Sequence, residues 1–299
     1  MKVNSKSFLR KLFFFILLVV FMDYTIGHLL KVYYFKQKSG VLYNSTYAID
    51  STKEDVLVFG SSKAMHHYVP SIFEDSLKMS FYNCGRGGQD LFYSMAVFSA
   101  VIKRHQPKYV LIDILPNEFT YSNRDRLASI LPYSDNSAIK EFVPYKGKFE
   151  KYKLLSKIYP YNSLLVTILK GDFGKNDLNE YKGFVMLSNV SKNHPAKEIS
   201  ETGSIDMEKV NLLGRIVTQL DQLKINNCIV ISPSYLKYKE GGPTPNIADS
   251  ICKKSHYSKF VNYSDRSSFK DYRLFSDDEH LNGDGAHFFS KSLIKELRL

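Results

Sequence analysis

Two short stretches near opposite ends of the 299-residue chain carry the residue types needed for nucleophilic catalysis. In the first, Ser62 follows the apolar run 56–59 and a glycine, so its hydroxyl is expected at the carboxyl end of a buried strand. In the second, Asp277 and His280 are three residues apart. A serine attacks an ester at neutral pH when an imidazole accepts its proton and a carboxylate orients that imidazole. The spacing favours Asp277 as this carboxylate, with Asp278 as the alternative.

Acyl transfer also requires hydrogen-bond donors that converge on the oxygen that becomes negatively charged. A glycine-rich turn follows a predicted strand at 79–83, and Asn117 follows another at 109–115. We therefore predict an oxyanion hole formed by the backbone N–H groups of Ser62 and Gly88 and the side-chain amide of Asn117.

Arg86 and His66 are candidates for the substrate cleft because both lie close in sequence to the predicted catalytic turns. A solvent-facing Arg86 is an equal alternative, and the adjacent pair His66 and His67 is more typical of a protein surface. The turn 85–88 lacks the Gly-Lys-Ser/Thr ending of a phosphate loop, and no His-Glu-x-x-His pattern is present. We predict neither a cofactor nor a metal site.

Strand-like and helix-like segments alternate along most of the chain, which is typical of βαβ units. We predict an α/β fold for 55–299: a three-layer, doubly wound parallel sheet of about five strands, flavodoxin-like, with an insertion at about 122–202 that covers the sheet edge. The helix-like segments are 91–104, 161–169, 207–223 and 286–297, and the later strands are 228–232 and 260–263.

The N-terminal segment predicts a single membrane anchor. Basic residues at 2, 6, 10 and 11 precede an apolar run, 12–30, that Asp23 interrupts. By the positive-inside rule, residues 1–31 form a cytoplasmic tip and membrane helix, and the rest of the chain lies outside the cytoplasm, in the periplasm of a Gram-negative cell. A carboxylate at that depth is costly, and a cleaved signal peptide is the alternative. The polar segment 32–54 is interpreted as a tether.

The net charge of +11 is spread along the chain, which favours anionic envelope polymers or lipid head groups over nucleic acid as partners. Three cysteines without a CxxC pair predict no disulfide framework, although Cys228 and Cys252 are able to pair in an oxidising compartment. Cys84 and Cys228 are expected to be buried.

Four blocks of the chain, in order, resemble the SGNH (GDSL-type) hydrolase superfamily. They are Gly60-Ser61-Ser62, Asn83 to Gly88, Pro116-Asn117-Glu118 and Asp277 to His280. Ser61 and Glu118 stand where the family has Asp, and Leu115 stands where its third block has Gly. Gly-Ser-Ser forms are similar to the membrane-anchored envelope branch, which includes proteins of teichoic-acid D-alanylation and alginate acetylation.

This resemblance implies a serine esterase or O-acyltransferase that acts on acyl groups of an envelope glycan through an acyl-enzyme on Ser62. Hydrolysis and transfer share that intermediate, so the sequence leaves both open. The alternative is a catalytically weak scaffold that binds glycan or partners a membrane acyl-transferring protein. The acyl group, the natural acceptor and the oligomeric state are not encoded in any motif.

Overall fold

The computed structural model describes residues 5–171, 180–192, 198–199, 203–238 and 242–297. Its main sheet has five parallel strands, which are β1 (Val56–Phe59), β2 (Phe81–Asn83), β3 (Tyr109–Asp113), β4 (Asn226–Ile231) and β5 (Ser258–Asn262). Their order in the sheet is β2-β1-β3-β4-β5. This is the doubly wound order in which the chain reverses direction beside β1, and it confirms the predicted fold class.

Helices cover both faces of this sheet, because successive strand side chains point alternately to the two faces. The helices are α1 (Ser5–Phe35), α2 (Gly40–Asp50), α3 (Ser62–His67), α4 (Pro70–Leu77), α5 (Leu91–Ile102), α6 (Met207–Gln222), α7 (Pro243–Cys252) and α8 (Gly283–Leu297). In β1, Leu57 and Phe59 pack with α2, α5, α6 and α7, whereas Val56 and Val58 pack with α3, α4 and α8.

The insertion consists of short elements that add to the core on the α5 side of the sheet. The helix predicted at 161–169 is a 3-10 turn followed by a short α-helix, and its Tyr161, Leu164 and Ile168 are buried. The short helices are Arg124–Tyr133, Ser137–Lys140, Val143–Lys146, Glu150–Lys153, Tyr159–Leu164 and Leu165–Lys170, and two more turns are Ser267–Phe269 and Tyr272–Leu274. Two-residue strands pair Glu180–Tyr181 with Phe184–Val185 and Glu198–Ile199 with Lys237–Tyr238.

Residues 32–54 are not the expected tether. Helix α1 continues to Phe35, and α2 follows after four residues. Leu42, Ala48 and Ile49 of α2 are buried in the core because they share one helical face. The Arg104 guanidinium donates hydrogen bonds to the carbonyl groups of Ala48 and Ile49, at 2.9 and 2.8 Å, and so caps the end of α2. The sequence did not reveal this helix because its few apolar residues stand among many polar ones.

Helix α1 is long and apolar enough to cross a membrane, with a mean hydropathy of 2.0 over its most apolar window. Its C-terminal part packs against the domain through Gly27, Leu30 and Tyr34. A Cβ at Gly27 would lie 2.4 Å from the Lys157 backbone, so the helix approaches the insertion as closely as only glycine allows. The apolar residues between Phe8 and Met22 are exposed.

A buried ion cluster joins three elements behind the sheet edge. The Lys209 ammonium of α6 lies 2.6 Å from Glu118 Oε1 and 3.3 Å from Asp90 Oδ2, and all three side chains are at most 2% exposed. It also donates to the carbonyl groups of Glu118 and Tyr121. Burying these charges is tolerated because each ion has a partner of opposite sign and further hydrogen bonds.

Replacing Lys209 by Met is expected to lower the free energy of unfolding by about 3–5 kcal/mol, because it leaves two buried carboxylates without a cation. The measurement is urea unfolding of the full chain in detergent. Lys254→Met, at an exposed position, is the control and should change stability by no more than about 0.5 kcal/mol. Equal stability of the two variants would contradict the role given to the cluster.

Candidate active site

The turn after β1 presents Ser62 at the carboxyl edge of the sheet. A Cβ on Gly60 would lie 2.8 Å from the Asp113 carbonyl oxygen, so the chain can turn here only with glycine. Ser61 is the N-cap residue of α3, and its hydroxyl accepts a hydrogen bond from Lys63 N. Serine is as good an N-cap as aspartate, so Ser61 stabilises the start of α3.

Ser62, His280 and Asp277 form one hydrogen-bonded chain. Ser62 Oγ lies 2.7 Å from His280 Nε2, and His280 Nδ1 lies 2.9 Å from Asp277 Oδ2. With the proton on Nδ1, the imidazole donates to the carboxylate and its Nε2 accepts from the serine hydroxyl. This arrangement can activate a serine nucleophile. Their catalytic roles stay predictions.

The Asp277 carboxylate is fixed and ionised. Its Oδ1 accepts the backbone N–H groups of Glu279 and His280, each at 2.8 Å. Partial burial raises the pKa of this carboxyl, but the hydrogen bonds from His280 and from the backbone outweigh that effect and lower it to about 2. Asp278 instead contributes its backbone carbonyl, which accepts from Leu236 N at 2.9 Å. The geometry therefore favours Asp277 over Asp278 as the partner of His280.

His67 ties the His280 loop to α3. Its Nε2 accepts the backbone N–H of Leu281 at 3.0 Å, and its Nδ1 donates to the Ser232 hydroxyl at 3.0 Å. Burial holds the pKa of this fully buried imidazole well below its usual range, and the nearby Lys63 adds to the effect. The interpretation of His66 and His67 as surface residues is wrong, since helix α3 is covered on both sides.

His66 lies next to the candidate triad. Its ring packs edge to face against that of His280, with centroids 5.4 Å apart, and its Nδ1 donates to the Val185 carbonyl at 2.7 Å. The side chain is buried, which lowers its pKa. His66 thus borders the site as a buried imidazole, and the hairpin that ends at Val185 covers it. No sequence signal pointed to that hairpin.

A second buried polar group, missed by the sequence analysis, lies beneath Ser62. The Lys63 ammonium donates to the Ser232 carbonyl at 2.9 Å, and the Tyr68 hydroxyl donates to Asp113 Oδ2 at 2.6 Å. Burial lowers the pKa of Lys63 to about 8, against the opposing effect of Asp113. Burial likewise raises the pKa of Asp113 to about 6. The position of Lys63 directly after Ser62 was the available signal.

The glycine-rich turn after β2 packs closely on α3. Asn83 Nδ2 donates to the Ala64 carbonyl at 2.7 Å, and a Cβ on Gly85 would lie 2.6 Å from Met65 N. Gly88 has a positive φ of 73° and open space around its Cα, which leaves its edge of the turn unobstructed. A Cβ on Gly87 would lie 4.0 Å from Ser62 Cβ, so this turn borders the nucleophile.

Arg86 does not line the cleft and does not face solvent. It is 5% exposed, and its guanidinium donates to the Ser45 hydroxyl at 2.8 Å. It also lies over the Tyr93 ring, 5.4 Å from the centroid. The prediction of a substrate contact here is wrong because α2, interpreted as part of a tether, supplies a buried polar partner for the side chain.

Asn117 and Glu118 occupy the turn after β3. Within the described residues, the Asn117 side-chain amide makes no hydrogen bond, which leaves its N–H groups available to a ligand. The Glu118 carboxylate accepts the N–H groups of Leu91 and Leu115, at 3.1 and 3.3 Å. Glu118 therefore holds the Asn117 turn against the start of α5, next to the glycine-rich turn.

No family model and no curated protein matches the chain. One similar solved structure is a protein provisionally named a platelet activating factor, from Streptococcus pneumoniae. It shares 12% identity, with a TM-score of 0.45 over 99% of this chain and 100% of that one. At that level of similarity, its name carries no argument about function here.

The buried His67 predicts a pH dependence of folding. An unfolded histidine has a pKa near ~6.5, whereas His67 is neutral in the folded state with a pKa well below that. Its contribution to stability is therefore present above pH ~6.5 and is lost as the pH falls, by up to about 1.4 kcal/mol per pH unit. Relative to a His67→Gln variant, the free energy of unfolding of the wild type should fall by about 1.4 kcal/mol between pH 7.5 and pH 5.5.

Urea unfolding of both proteins at several pH values measures this difference. Comparison with the variant cancels the titration of the other buried groups, including Asp113, whose raised pKa gives the opposite slope below pH ~6. A stability difference that stays constant with pH would contradict the neutral state of His67.

Proposed function

We propose that this protein is a serine esterase or O-acyltransferase that forms an acyl-enzyme on Ser62. One observation carries the proposal, namely the unbroken hydrogen-bond chain from Ser62 Oγ through His280 to Asp277. Ser62 and His280 are 218 positions apart in the sequence, and the fold brings their side chains into hydrogen-bond contact. A satisfied polar loop would not need its histidine to bond a serine at the start of a helix on another element.

In the proposed first step, Ser62 Oγ attacks the carbonyl carbon of an ester while His280 Nε2 accepts the hydroxyl proton. The bond between that carbon and the leaving oxygen breaks, and His280 returns the proton to the leaving alkoxide. In the second step, water or an acceptor hydroxyl attacks the carbonyl carbon of the acyl-serine and gives its proton to His280. The bond between that carbon and Ser62 Oγ breaks, and His280 returns the proton to Oγ. Asp277 orients the imidazole and stabilises its charged form throughout.

The oxyanion formed in each step is assigned to the backbone N–H groups of Ser62 and Gly88 and the amide of Asn117. The free Asn117 amide and the open surface at Gly88 support this assignment. Each such donor is typically worth about 2.7–4 kcal/mol of transition-state stabilisation. Glu118 acts as a positioning residue, since its carboxylate binds the backbone on both sides of this hole.

The substrate class follows from the location that α1 implies. We assign α1 as an uncleaved membrane anchor rather than a signal peptide, because its outer part is packed into the domain core through Leu30 and Tyr34. The basic N-terminus orients the domain away from the cytoplasm. Ester-linked acyl groups of an envelope glycan are then the accessible substrates, as the resemblance to the SGNH envelope branch also implies.

Reaction with an active-site serine phosphonate tests the chemistry. The full chain in detergent should be labelled and should hydrolyse a short-chain aryl acetate, whereas Ser62→Ala should show neither activity. His280→Ala should lose most of both, since the serine then has no base. The control is Ser61→Ala, which should keep the labelling and lose about 1 kcal/mol of stability through the missing N-cap. Labelling that survives Ser62→Ala would assign the nucleophile elsewhere.

The orienting carboxylate is tested by paired substitutions. Asp277→Asn should lower the labelling rate by up to roughly 10⁴-fold, because an amide favours the wrong imidazole tautomer. Asp278→Asn leaves the backbone carbonyl of that residue in place and should have little effect. If the Asp277→Asn and Asp278→Asn variants are both as stable as the wild type and are labelled at equal rates, Asp277 has no role in the mechanism. A folded wild type inactive toward phosphonate, aryl ester and acylated polymer alike would favour the binding scaffold instead.

A further inference from the structure

The insertion carries an exposed apolar surface that the proposed chemistry does not use. Among the exposed large side chains, Leu155 is 78% and Leu169 is 69% accessible. We define the insertion face as these residues together with Phe149, Tyr152, Leu165 and Val166, all of them exposed. So many large apolar side chains on one short segment of a soluble surface call for a partner that removes them from water.

This face lies beside α1. The Asp23 carboxylate of α1 accepts hydrogen bonds from Ser156 Oγ at 2.5 Å and from Lys157 N at 2.7 Å. Residue Leu155 directly precedes this contact, and Gly27 packs on the Lys157 backbone. The insertion face is therefore continuous with the surface of the helix that the proposed function assigns to the membrane.

The depth of this contact follows from helix geometry. The hydrocarbon core is about 30 Å thick, which corresponds to about 20 helical residues. Counted from Lys11, that length ends near Lys31, beyond Asp23 and Gly27. Exposed apolar residues of α1 continue through Ile26 and Leu29 to Tyr33, but exposed polar residues, Thr25, His28 and Lys31, alternate with them. Such a mixture is typical of the head-group interface, so the insertion contacts α1 near the outer interface of the membrane.

The polar groups of the contact agree with that depth. A carboxylate near hydrocarbon is costly unless protein groups satisfy it, and Asp23 has the three donors of Ser156, Lys157 and Ile158. The interruption of the apolar run in the sequence is thereby explained as the docking point of the insertion.

The charge around the insertion face matches lipid head groups. Residues 146–170 contain six lysines and one acidic residue, and that residue, Glu150, is buried and paired with Lys153. The ammonium of Lys151 lies over the Tyr152 ring, 4.9 Å from its centroid. Aromatic, aliphatic and lysine side chains in this combination are typical of segments that lie in the interface of an anionic membrane.

We propose that the insertion face is a second membrane contact, in which its six apolar side chains enter the interface of the anionic bilayer that α1 spans. This inference rests on the proposed anchoring of α1. It fixes the domain on the membrane surface at two places, so the candidate active site is held at one height and orientation.

Depth-dependent fluorescence quenching tests the contact. The full chain with Ser62→Ala, which removes any dependence on catalysis, is given one exposed cysteine and labelled with a polarity-sensitive dye. The three native cysteines are buried and provide the unlabelled background. The positions are Leu155→Cys and Val166→Cys on the insertion face, Leu17→Cys in α1, and Lys291→Cys in α8 on the opposite side of the sheet.

In vesicles of phosphatidylglycerol, the labels at 155 and 166 should lose most of their emission to nitroxides placed near the head group. The label at 17 should respond to nitroxides in the middle of the acyl chains, and the label at 291 to neither. Replacing phosphatidylglycerol by phosphatidylcholine should weaken the quenching at 155 and 166. Equal quenching in the two lipids would overturn the anionic lipid assignment.

Two further outcomes separate this proposal from the others. If 17 is quenched but 155 and 166 behave like 291, the insertion face is not in lipid and is left to a protein partner, which overturns the proposal while the anchor stands. If 17 is not quenched, the anchoring itself fails, and this inference fails with it. Phosphonate labelling of the chain with Ser62 intact reports the proposed function independently of either result.

Discussion

The hydrogen bond from the Leu281 backbone N–H to His67 Nε2 joins two parts of the chain that are 214 residues apart. It joins them at α3, which begins with Ser62. Residues four apart share a helical face, so Ser62 and His66 point to the cleft while Lys63 and His67 point to the interior. One six-residue helix therefore carries the nucleophile on one face and the support of its base on the other.

This support is made of groups that cost free energy to bury. Lys63 and His67 both have pKa values lowered by burial, and both bond to Ser232 at the end of β4. An apolar cluster would avoid the cost of burying an ammonium and an imidazole, but it would leave the carbonyl and N–H groups of these strand ends and loops without partners. The polar cluster gives these groups hydrogen-bond partners and fixes the orientation of the site. Functional sites are the places where folded proteins depart from the locally most stable choice of residues.

The sequence alone predicted the sheet, and it predicted Ser62, Asp277 and His280 as neighbours, because apolar strand patterns and residue types are local signals. It missed what depends on contacts between distant segments. The burial of Arg86 requires Ser45 of α2, whose few apolar residues resembled a tether. The burial of His67 requires Leu281. Pairings of this kind have no periodicity to detect, and the hairpin beside His66 has only two residues in each strand.

The packing of α1 changes how the proposed enzyme can reach its substrate. A flexible tether of 23 residues would let the domain sample distances of roughly 25 Å from the membrane. Instead, α1 enters the core directly, and Gly27 brings it into backbone contact with the insertion. If α1 spans the bilayer, the active site cannot search along a thick envelope. Its acyl donor or acceptor must then come to a fixed height above the lipid, which favours substrates that are themselves carried at the membrane surface over polymer chains far from it.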